Sequence, residues 1–116
     1  MKAAYHQRGG TLDYVNTTKK KIEAGEVLTI GNRIGVAGTD IEAGGLGSVH
    51  VSGVYEFDKK ETCELTVGTV VYITADGITA AASEGEGDAA VQNVCAGFVA
   101  VASPAKSTKV HVKINA

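Results

Sequence analysis

The chain has 116 residues, enough for one domain and short of two comfortable ones, and with two Phe, four Tyr and no Trp its core must be built from Val, Ile, Leu and Ala. Its 11 basic and 13 acidic residues nearly balance and no basic stretch concentrates them, which argues against a nucleic-acid binder. No run approaches the ~20 apolar residues of a membrane span, and Cys63 and Cys95 lack C-x-x-C spacing, so two reduced thiols of a cytosolic product are expected.

Met1 to Gly10 is polar, has no apolar h-region of a signal peptide, and carries Gly9-Gly10 as a hinge. It is read as an N-terminal arm, mobile in the free protein, ahead of one β domain over residues 11–116. Within the arm Lys2, Ala3, Ala4, Tyr5, His6, Gln7 and Arg8 are the residues available to a partner. Thr11 to Asn16 alternates weakly and is expected to be a short strand. Asn16-Thr17-Thr18 is a glycosylation sequon that a cytosolic protein would not use, and Lys19-Lys20-Lys21 reads as a solvated turn.

A small motif then recurs. Ile22-Glu23-Ala24-Gly25 precedes Val27–Ile30, Ile41-Glu42-Ala43-Gly44 precedes Leu46–Val51, and Leu65-Thr66-Val67-Gly68 precedes Val70–Ile73. Gly25, Gly44 and Gly68 are expected to supply the positive φ of tight turns that start new strands. The uneven spacing rules out a solenoid, and the pattern describes a meander or barrel. The run from Gly31 to Phe57, with β-branched Val36, Val49, Val51 and Val54, reads as the centre of the sheet structure.

Asp58–Glu64 is the one candidate for a helical turn. Val70–Ile73, the Ala75-Asp76-Gly77 turn and Ile78–Ala80 read as a hairpin. Ser83–Asp88 is a loop whose acidic residues lack the EF-hand order of ligands, so no metal is expected there. Val91–Ala102 holds one or two strands, Pro104 breaks the run, and Val110–Ile114 alternates as a closing strand. The fold class is therefore all-β, a small β-sandwich or β-barrel with glycine-rich turns, an extended N-terminal arm and at most one short helical turn.

No chemistry converges. Gly31, Gly35 and Gly38 do not have dinucleotide spacing and no phosphate loop is present. His6, His50 and His111 are isolated, and His50 and His111 fall on the polar side of their strands, where solvated rings are expected. Ser48, Ser52, Ser83, Ser103 and Ser107 lack a nucleophile elbow. Asp40 and Glu42, a possible carboxylate pair, suit turn chemistry better. No catalytic residue, metal or cofactor is assigned, and an enzyme is not expected.

In its order of segments the chain resembles a family of tailed-phage and prophage capsid decoration, or cement, proteins formerly classed only as a domain of unknown function. The resemblance is carried by Leu12-Asp13-Tyr14 after the arm, the turn Ala24-Gly25-Glu26-Val27, and Gly35 to Gly44. It continues through Gly47 to Phe57, Val67-Gly68-Thr69-Val70-Val71-Tyr72 and Ala96-Gly97-Phe98-Val99. Where the family often has a tryptophan and an acidic residue after Val71-Tyr72, this chain has Ile73-Thr74, and nothing carries over to Ser83–Asp88. The resemblance implies a β-rich, non-enzymatic protein made in the bacterial host cytoplasm. It implies a trimer on the outside of the expanded head that stabilises the shell, with the major capsid protein as its partner and neither nucleic acid nor membrane. The competing readings are a carbohydrate- or surface-binding β module, which needs exposed aromatics, and a small hydrolase, for which no motif speaks.

Overall fold

A computed structural model describes residues 1–85, 87 and 90–116. The chain is all-β, with strands β1 (Thr11–Val15), β2 (Val27–Ile30), β3 (Arg33–Ala37), β4 (Leu46–His50), β5 (Val54–Asp58), β6 (Val70–Thr74), β7 (Gly77–Thr79), β8 (Ser83–Glu84), β9 (Val91–Gln92), β10 (Val94–Val101) and β11 (Lys109–Ile114). They form a sheet of order β1-β4-β3-β2, a second of order β5-β11-β10-β6-β7, and the small pair β8-β9. The sheets pack as a sandwich and do not close into a barrel, although a parallel bridge between Lys59 and Ile78 brings β7 back to the end of β5.

The two large sheets are copies of one plan. The offset that carries Gly25 to Gly68 also carries Thr11 to Val54 and Val27 to Val70, the first residues of corresponding strands. The order β1-β4-β3-β2 thus recurs as β5-β11-β10-β6, and β7 is an addition of the second half. Loop hydrogen bonds repeat with it. Ile22 and Ile41 exchange backbone bonds of 2.9 and 2.7 Å, as Leu65 and Ser103 do at 2.9 and 2.8 Å. Gly25 N–H donates to Ala37 O and Gly68 N–H to Val99 O.

Each half has the tight turn twice. Glu26 N–H donates to Glu23 O, Gly45 to Glu42, Thr69 to Thr66 and Ser107 to Pro104. In the first three the third turn residue is Gly25, Gly44 or Gly68, at φ +90°, +76° and +90°, as a type II turn requires. The fourth has Lys106 there, which is not among the residues at positive φ.

The expected helical turn at Asp58–Glu64 does not form. Asp58 ends β5, and buried Lys59 takes over the segment. Its ammonium donates to Cys63 O at 2.6 Å, Ser103 Oγ at 3.0 Å and Pro104 O at 3.1 Å, which holds the backbone open instead of letting it coil. His50 also departs from expectation: it is half-buried, with its ring 6.4 Å from that of Tyr55. The glycine Cα of Gly38 makes room, since a Cβ there would lie 2.7 Å from His50 Nε2. His111 is half-buried as well, with Nε2 3.4 Å from Glu56 Oε2. Both cysteines are free, Cys63 exposed and Cys95 half-buried.

The larger core fills the second sheet with Phe57, Val71, Ile78, Val99 and Val112 among others, and takes in Ile34 and Val36 from β3. Each aliphatic side chain removed from water there contributes about 1.5–3 kcal/mol before entropy is counted. The smaller core lies under the Ile22 and Ile41 turns of the first half. Asn115 seals the join: its amide brackets Ile34, accepting from Ile34 N–H at 3.0 Å and donating to Ile34 O at 2.7 Å, and also donates to Val51 O at 2.9 Å. It does so at φ 58°, which a short polar side chain tolerates better than a bulky one.

Candidate capsid-binding surfaces

The arm lies outside every sheet, and Lys2, Ala3, Ala4, Tyr5, His6, Gln7 and Arg8 are all exposed. Its root is fixed where Val51 N–H donates to Gly10 O at 3.0 Å and Gln7 Nε2 to Thr11 O at 3.2 Å. The arm carries two of the 11 basic residues and none of the 13 acidic ones, so it is cationic on an otherwise acidic chain. It runs straight into β1, an edge strand that among the described residues pairs with no strand but β4, so its outer row of backbone groups faces away from the sheet.

The duplicated plan makes β1 instructive. Val15 pairs with Leu46 across the β1/β4 ladder and both are exposed, at 53% and 67%. The corresponding pair of the second half is Asp58 and Lys109, which are ion-paired. One half therefore presents an apolar pair where the other presents charges. At the far end of the first sheet Leu12, Ile30, Arg33, Val51 and Asn115 line a crevice of about 270 Å³.

The turns form their own polar cluster. Asp40 Oδ1 accepts from Ala24 N–H at 2.9 Å and Asp40 Oδ2 lies 3.3 Å from Lys21 Nζ, with Glu42 3.8 Å from the same ammonium. The Ala24 N–H first, and then Lys21, hold the Asp40 carboxyl below the usual carboxylate range; the hydrogen bond to Asp40 raises Lys21. Asp40 fastens one turn to its neighbour, which is turn chemistry. Gly25, Gly44 and Gly68 hold backbone and present no chemical group.

Among the described residues no three His, Cys, Asp or Glu side chains gather as metal ligands; Glu86 and Asp88 of the acidic loop lie outside the described residues. Tyr5 is the exposed aromatic, whereas Tyr14, Tyr55, Tyr72 and Phe98 are half-buried and Phe57 is buried. No helix is long and apolar enough to cross a membrane among the described residues.

A family model described as phage cement protein matches residues 6–114, leaving out Met1–Tyr5 and Asn115–Ala116. The chain belongs to the phage cement protein family. It is thus a structural, capsid-associated phage protein, of a family not known for enzymes. Comparison with curated proteins and with solved structures gave no match.

Sequence reasoning missed the duplication, the Val15–Leu46 pair and the Leu12/Ile30 crevice. The signal was present: Ile22-Glu23-Ala24-Gly25-Glu26-Val27 and Leu65-Thr66-Val67-Gly68-Thr69-Val70 align without a gap, with Ile30 and Ile73 in step behind them.

Proposed function

We propose that the protein binds the exterior of the expanded capsid as a homo-oligomer, a trimer, and stabilises the shell there, with Lys2 to Arg8 as the capsid-contacting arm. The family match over residues 6–114 carries the reading, and the exposed, acid-free arm supports its placement. An extended arm adds its backbone to an open sheet edge of the major capsid protein. Ordering it costs entropy, offset because the second and third contacts of an oligomer are intramolecular. The host cytoplasm is then the site of synthesis and the virion exterior the site of action.

A truncation beginning at Thr11 tests the arm. Loss of co-sedimentation with expanded capsids at an unchanged oligomeric state is expected; undiminished binding would move the contact to the folded body.

A further inference from the structure

We infer that the contact joining the two halves within one chain is repeated between chains, head to tail, so that the Val70–Phe98 face of one copy covers the Leu12/Ile30 crevice of the next. The inference rests on the homo-oligomer reading above and names its interface.

The internal contact supplies the template. Val27 and Val36 are cross-strand partners on β2 and β3, and they face the end of the second half, where they share a cleft with Tyr55 and Phe57. Val27 also lines a second cleft together with Phe57 and Ile73, and Val36 belongs to the same buried cluster as Phe57. One half thus uses the apolar pair of its β2/β3 ladder to close the open end of the other.

Both partners of that contact have an unused counterpart. The offset that relates the halves carries Val27 to Val70, and the Phe98 that pairs with Val70 in the β6/β10 ladder holds the place that Val36 holds beside Val27. Val70 is 50% exposed and Phe98 is half-buried, with Lys113 Nζ 5.9 Å above its ring. The end closed by Val27 and Val36 is built on Tyr55 and Ile73, whose counterparts Leu12 and Ile30 line the uncovered crevice. A chain made of two such halves therefore keeps one donor face and one acceptor crevice.

A second copy is the occupant that fits, because it carries the complementary face already matched to such an end within the chain. The contact is heterologous, so it closes as a ring or grows as a filament; with three copies of two halves it makes a ring of six similar units. Arg33 rims the crevice and Lys113 rims the face, so like charges meet and added salt favours association.

The test is a Leu12→Cys/Val70→Cys double variant with Cys63→Ser and Cys95→Ser, treated with a short bismaleimide and run on a denaturing gel beside light scattering of the wild type. Cross-linked trimer from the double variant, none from either single variant, and a cross-linked dimer from the two singles mixed are the expected results. Val70→Asp, at an exposed position, is expected to abolish the oligomer while keeping the β-sheet circular dichroism spectrum. A wild-type oligomer with no cross-link in the double variant overturns the interface and leaves the oligomer standing. A wild type monomeric throughout the micromolar range overturns both, whereas co-sedimentation with capsids judges the cement role separately.

Discussion

Asn16 and Lys59 occupy the same place in the two halves and perform the same task with different chemistry. Asn16 is fully buried, and its Nδ2 donates to Lys20 O at 2.7 Å and to Ile41 O at 3.0 Å. Lys59 donates to Cys63 O, the carbonyl four residues on as Lys20 is from Asn16, and to Ser103 and Pro104 across the turn. Each side chain leaves the end of an edge strand and ties the following loop to the partner turn.

Removing either pin deletes several hydrogen bonds at once, although Ile41 O keeps the Ile22 N–H, Lys20 O keeps the Thr18 hydroxyl and Pro104 O keeps the Ser107 N–H. Asn16→Ala and Lys59→Ala are each expected to lower unfolding free energy by about 1–3 kcal/mol, measured by urea denaturation. Lys59→Met, which keeps most of the stem but no donor, should cost nearly as much as Lys59→Ala; full rescue by Met would mean that packing, not hydrogen bonding, holds the loop.

Gly25, Gly44 and Gly68 should behave unlike Gly97. A Cβ at any of the three turn glycines meets nothing within 4 Å, so Val there costs backbone strain alone, about 1–3 kcal/mol. At Gly97, φ is +143° and a Cβ would lie 2.0 Å from Lys113 O, so Gly97→Ala is expected to prevent folding. Thermal melts of the four variants separate these cases. Three turn variants melting with the wild type would contradict the turn assignment.

Those turns also show what was legible in the sequence. The β class, the hairpin at Ala75–Gly77 and the alternating Val110–Ile114 strand follow from local pattern, because residue type and period act within a few residues. Asp58–Glu64 misled because local composition cannot register Lys59 donating to Ser103 and Pro104 across the fold. His50 alternated as an outward residue, yet the second half packs over that part of the sheet and brings Tyr55 against it. The duplication was hidden because Ile41 corresponds to Ser103 and the Gly44 turn to one built on Lys106, and because β7 to β9 interrupt the second copy.

The Asp40 cluster sets a pH dependence at both ends of the scale. A carboxylate held below its usual range contributes stability above its unfolded pKa of about 3.9, and loses it as pH falls through the lower folded value. Lys21 is raised, so its contribution is complete below its unfolded pKa of about 10.4 and is lost as pH rises through the higher folded value. Asp40→Asn should therefore lower the melting temperature slightly at neutral pH and flatten its decline below about pH 4. An unchanged acid limb in a melting-temperature series would show that other carboxylates govern it.

Cryo-electron microscopy of expanded cognate capsids, incubated with the purified protein and compared with bare capsids, tests the central claim most directly. Added trimeric density on the outer surface, with residues Lys2 to Arg8 traced along a capsid-protein strand edge, is the predicted result. Capsids that remain bare at saturating protein, or that carry density only on the inner surface, would contradict it.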